Sequence, residues 1–135
     1  MAIQFSTTVR NARLDAVETA VGASAILKIR TGSQPSSCSE ADSGTVLATL
    51  TLPSDWMVAA SGGSKAMSGT WEDTSADATG TAGHFRIYAS DGTTCHLQGS
   101  ISMAGGGGDM ILDNTSIASG QAVSITTFTL TDGNA

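Results

Sequence analysis

The sequence predicts a mainly β protein, an antiparallel β-sandwich of jelly-roll-like form with one N-terminal α-helix. Three observations lead there. Ser and Thr fill 36 of the 135 positions beside 16 glycines, and Thr favours strands while Ser and Gly favour turns. After Gly22, short runs alternate apolar and polar residues with a period of two. The tight-turn dipeptide Asp91-Gly92 stands between two such runs. Aromatic residues make up only 4%, so Val, Ile, Leu, Met and Ala must fill most of the core.

Residues 6–22 carry the one helical period. Ser6 is a suitable N-cap and Gly22 a suitable stop. Val9, Ala12, Val17, Ala20 and Val21 fall near one stripe, with Arg10, Arg13, Asp15 and Glu18 largely off it. The helix packs on a sheet edge, or serves as an arm reaching a neighbouring subunit. In "ASAILKIRTG", Leu27 and Ile29 alternate with Lys28 and Arg30, which predicts one dry and one wet face. Residues 32–44, "GSQPSSCSEADSG", read as a long exposed loop. A strand follows with Val46, Ala48, Leu50 and Leu52 on one side, closed by Pro53.

"SGGS" at 61–64 predicts a turn, with Trp56, Val58 and Ala60 before it and Met67 and Trp71 facing inward after it. Residues 83–103 read as a β-hairpin around Asp91-Gly92. Its dry face holds Phe85, Ile87 and Ala89, then Cys95, Leu97, Ile101 and Met103. Its wet face holds His84, Arg86 and Tyr88. Four glycines at 105–108 form a turn before a short strand at 109–113. In the last strand Val123 and Ile125 share one parity, and Phe128 and Leu130 the other. A bulge at Thr126–Thr127, or a crossing between sheets, accounts for the slip. With no repeat and no boundary, residues 1–135 form one domain, of which 1–22 is the helical arm.

Composition excludes several function classes. Six basic residues and a net charge of −6 cannot supply a cationic track for nucleic acid. No apolar run approaches the roughly 20 residues that cross a bilayer, and the N-terminus lacks the apolar core of a secretion signal. The chain is therefore expected to fold in a cytoplasm, where Cys38 and Cys95 stay thiols, Cys95 as a small core residue.

Several stretches carry reactive side chains. Glu72, Asp73 and Asp77 offer oxygens to a cation. Counted from Asp73, however, Ala78 and His84 stand where a calcium loop needs its sixth-position Gly and twelfth-position Glu. His84 and His96 on the outer side of the hairpin make too small a ligand set for a metal. Adjacent Cys95 and His96 point to opposite faces of a strand and cannot act as a pair. No nucleophile elbow or phosphate-binding loop is present. The expectation is a protein with no catalytic residue, cofactor or metal.

Two long stretches, "GTVLATLTLPSDWMVAASGGSKAMSGTWEDTSADATGTAGHFRIYASDGTTCHLQGSIS" and "GGGGDMILDNTSIASGQAVSITTFTLTDGN", resemble small virion structural proteins of tailed bacteriophages and prophages. So does the start, "RNARLDAVETAVGASAILKIRTG". The resemblance implies a capsid-decoration (cement) protein, with a tail or tail-tip component as the alternative. It implies location in the virion after assembly in the host cytoplasm, contact with the major capsid protein or other virion subunits, and a homo-oligomer. It brings no catalytic residues. Phe5, Val9, Arg10, Arg13 and Val17, with the tail "TDGNA", are the expected interaction arms. A carbohydrate- or receptor-binding module is the competing reading, with Tyr88, His84 and His96 as its surface residues.

Overall fold

The period-two runs become strands in the computed structural model, which describes residues 3–133. Over the described residues the chain is mainly β with one helix, α1 (Thr7–Val21). The strands are β1 (Ile26–Thr31), β2 (Val46–Thr51), β3 (Ser64–Ala66), β4 (Glu72–Asp73), β5 (Gly80–Tyr88), β6 (Cys95–Met103), β7 (Met110–Leu112), β8 (Ser116–Ile117) and β9 (Val123–Thr131). They join into one curled mixed sheet of order β2-β1-β5-β6-β7-β9-β3, with β4 added to β9 and β8 to β5. Residues 134 and 135 of the proposed C-terminal arm lie outside the described residues.

The expected hairpin is β5–β6. Its connection is longer than the two-residue turn that Asp91-Gly92 predicts. The Asp91 carboxylate accepts from the Thr93 and Thr94 amides and from the Thr94 hydroxyl, closing the chain reversal. The "SGGS" turn is also present, with Ser61 and Ser64 exchanging backbone hydrogen bonds around Gly62 and Gly63, both at positive φ. The bulge predicted at Thr126–Thr127 is found: Ile111 pairs with Thr127 and Leu112 with Ile125, so Thr126 is the extra residue.

One pairing departs from the antiparallel expectation, since β7 runs parallel to β6. Parallel neighbours usually need a crossover of a dozen or more residues, whereas here residues 104–109 suffice. The glycine run makes that return tight enough. A Cβ at Gly108 would lie 2.6 Å from the Ser102 amide nitrogen, and one at Gly106 2.7 Å from the Ser102 Cβ.

The apolar core lies against the inner face of the curled sheet. Leu27, Ile29, Leu50, Phe85 and Ile87 pack there with Trp56, Trp71 and Phe128. Trp71 bridges the aromatic group, 5.9 Å from Trp56 and 5.7 Å from Phe128 between ring centroids, and Phe85 meets Phe128 edge-on at 5.4 Å. Both tryptophans are buried, as expected. Met103, expected inside, is 49% exposed because it ends β6 beyond the core.

Candidate functional site

The densest polar chemistry lies on the sheet face that the sequence predicts to be wet. His84, Arg86 and Tyr88 of β5 are all buried, which corrects their assignment as surface residues. The reason is the loop 32–44, which folds back across that face instead of extending into solvent. Arg86 holds it there. Its Nε donates to Gln98 Oε1 at 3.1 Å, and its two terminal nitrogens donate to the carbonyls of Ser37, Cys38 and Glu40 and to the Asp42 carboxylate. Five N–H groups thus meet five acceptors, the full capacity of a guanidinium.

Asp42 is the anionic centre of the cluster. Burial pushes its carboxyl up, but the Tyr88 hydroxyl and the guanidiniums of Arg86 and Arg30 outweigh that and hold it below the ordinary carboxylate range. Tyr88 donates to Asp42 at 2.6 Å, and burial together with that bond raises its phenol to about 12. Arg30 adds an ion pair to Asp42 at 3.0 Å. His84 Nδ1 donates to the Gly32 carbonyl at 2.9 Å, and Gln98 Nε2 to the Pro35 carbonyl at 2.7 Å. Beside this cluster lies a cavity of about 620 Å³, lined by Cys38, Glu40, Asp42, Arg86, Thr94 and Cys95.

A bulge explains why Cys95 is on this side. Ile87 pairs with Leu97 but Tyr88 pairs with Cys95, so His96 is skipped. Cys95 therefore shares the face of Tyr88, and its assignment to the core with Leu97 is corrected. His96 is exposed at the bulge, and His84 pairs with Ser100. The two histidines do not face one another.

The acidic stretch is a loop anchor. Asp73 accepts from the Thr49 and Ser75 amides, and Asp77 accepts from the Thr49 hydroxyl. These bonds cover the outer edge of β2. Glu72 is exposed on β4. Among the described residues no group of three or more His, Cys, Asp or Glu is placed to hold a metal.

The helix docks by one end of the expected stripe, Val17 and Val21, while Val9 is exposed and Leu14, Asp15 and Glu18 join the docked face. Leu14 and Val21 are its buried apolar residues, with Val17 packed partly against the core. Around them Asp15 and Glu18 grip the buried Lys65 ammonium at 2.7 and 3.0 Å. Asp15 also accepts from the Ala60 amide, Glu18 from the Met57 amide and Asn11 from the Gly63 amide. Of the expected arm residues, Arg10 donates to the Asp132 carbonyl at 2.7 Å, and Arg13 pairs with the Asp132 carboxylate at 3.2 Å. These two and Val17 bind the chain's own body. Phe5 and Val9 are each 42% exposed, and Ile3 is 79% exposed.

Between β6 and β9 a second hollow opens. The three-residue β7 spans the gap only at Ile101–Met103 of β6, leaving a groove of about 530 Å³ lined by Phe85, Leu97, Phe128 and Leu130 among others. No helix among the described residues is long and apolar enough to cross a membrane. No protein-family model matches the chain, and no match is found among curated proteins or solved structures.

Proposed function

We propose that this chain is a non-enzymatic structural protein of a tailed-phage virion, a capsid-decoration protein that stabilises the assembled shell through subunit contacts. The observation that carries the reading is where apolar and charged groups are spent. Arg86, Lys65, Asp42 and Asp15 bind the chain's own loops and helix, whereas Ile3, Phe5 and Val9, near one another in sequence at the start of α1, each keep much of their apolar surface exposed, Phe5 beneath the Arg13 guanidinium. Apolar side chains grouped at an exposed end suit docking onto another subunit, and many identical weak contacts on a lattice sum to a stable coat. The resemblance of the sequence to small phage virion proteins points the same way. Within this reading the curled sheet is taken as a jelly-roll-like sandwich, with Trp71 and Phe128 filling the space between its two halves.

A tail component would share these contacts and differ in copy number. The carbohydrate reading is disfavoured by burial of Tyr88, Trp56 and Trp71, which removes the large ring platforms that sugar stacking needs. Mass spectrometry of purified particles tests the proposal. Copies in proportion to the capsid lattice support it, tail-tip stoichiometry favours the alternative, and absence from particles overturns both. Phe5→Asp with Val9→Asp is expected to abolish binding to particles lacking the chain while circular dichroism stays unchanged. Undiminished binding would remove the helix start from the contact.

A further inference from the structure

Cys38 belongs to the loop 32–44 and Cys95 to the start of β6, yet both line the 620 Å³ cavity beside Arg86. Two independent features converge on this placement. The bulge at His96 turns Cys95 onto the face of Tyr88, its cross-strand partner. Arg86, two residues before Tyr88 on that same face, draws the loop down by donating to the carbonyls of Ser37 and Cys38, each at 3.1 Å. Burial first, and then the neighbouring Cys38 side chain, push the Cys95 thiol up to about 11. Both are free thiols in the structure.

The geometry points to Cys38 and Cys95 as a redox-modification site, where an intramolecular disulfide staples the loop 32–44 to the β5–β6 hairpin. The oxidant is a small-molecule disulfide such as oxidised glutathione. Cys38, on the loop, loses its proton and attacks one glutathione sulfur. The glutathione S–S bond breaks, and the first glutathione leaves as a thiolate that takes up a proton. Cys95 then loses its proton and attacks the Cys38 sulfur of the mixed disulfide, releasing the second glutathione in the same way. Two protein thiols are oxidised by two electrons in total, and one glutathione disulfide is reduced to two thiols. Partial burial raises the Cys95 thiol's pKa, so its attack quickens as pH rises.

The test uses the full chain incubated with oxidised glutathione. The expected product is a monomer lighter by two hydrogen atoms, in which peptide mapping joins Cys38 to Cys95. Cys38→Ser and Cys95→Ser should each stop at a single glutathione adduct. Cleavage after Glu40 by a glutamate-specific protease should be slower in the oxidised chain than in the reduced one. Stable double adducts, disulfide-linked dimers, or thiols that react only after unfolding in urea would overturn the assignment. Equal cleavage of the two forms would overturn the stapling of the loop.

Discussion

Arg86 joins a strand to a loop through side-chain contacts. Its fork satisfies three loop carbonyls that would otherwise face the sheet without donors, and shares the Asp42 carboxylate with Tyr88 and Arg30; leaving such carbonyls unpaired costs more than the bonds gain. Arg86→Ala is therefore expected to destabilise the fold by about 3 kcal/mol, the lower end for breaking a buried pair because Asp42 stays partly hydrated. Urea unfolding measures it. Arg86→Lys should recover only part, since an ammonium cannot span acceptors that a planar fork reaches together. A loss under 1 kcal/mol, by the scale of exposed pairs, would mean the loop holds without this contact. The residue was hard to read from sequence for a physical reason. Alternation separates two faces of a strand but does not say what covers each. His84, Arg86 and Tyr88 looked like a wet face, and only the return of residues 32–44 dries it. The same limit hid the neighbourhood of Cys38 and Cys95, which depends on one skipped residue at His96.

Elements show the opposite balance for their ends and their faces. The helix was expected over 6–22 and is found at Thr7–Val21, with the Ser6 hydroxyl accepting from the Val9 amide and the Gly22 amide donating to the Glu18 carbonyl. Caps act locally, so local sequence reveals them. The docking face was legible only at Val17 and Val21, because a buried lysine lets the acidic Asp15 and Glu18 serve where leucine would be expected. Lys65→Met should leave Asp15 and Glu18 facing one another without a cation and weaken the fold by about 2 kcal/mol, the scale of hydrogen bonds to charged groups. Amide exchange is expected to rise along α1 before it rises in the β5–β6 hairpin. The pair also sets a pH window. Burial lowers the Lys65 pKa, but its bonds to Asp15 and Glu18 more than compensate and lift it above 10.5. Its contribution is thus complete below 10.5 and is lost as pH rises through the raised value. The Lys65 and Ala60 hydrogen bonds hold the Asp15 carboxyl below 3.8, so its contribution is present above 3.8 and lost as pH falls. Helix docking should be flat across neutral pH and weaken at both extremes. Trp56 fluorescence follows it, since the indole donates to the Gly22 carbonyl at the helix end.

At the scale of the whole molecule, the aromatic group around Trp71 ties distant parts of the chain together. Trp71→Ala is expected to cost about 3–5 kcal/mol by removing a buried side chain and leaving a cavity. Thermal unfolding should stay a single transition, because the same core serves β1, β5 and β9. An unchanged midpoint would mean that Trp71 is not part of the core. Most strands, the hairpin and the Thr126 bulge were legible, since each leaves a mark in the period of the sequence. The parallel β6–β7 pair was not. The glycines at 105–108 announce a turn, but which strand the chain then meets depends on how closely they approach Ser102.

The anchors of α1 also bear on the order in which the protein takes shape as it is made. The helix is made before the residues that hold it, since Arg10 and Arg13 bind Asp132, and Lys65 must already be in place against β9. A segment made early is thus settled late. Until Asp132 has been made, α1 lacks these anchors, and Asn11, Asp15 and Glu18 keep polar groups beside Leu14 and Val21 on the face that waits to dock.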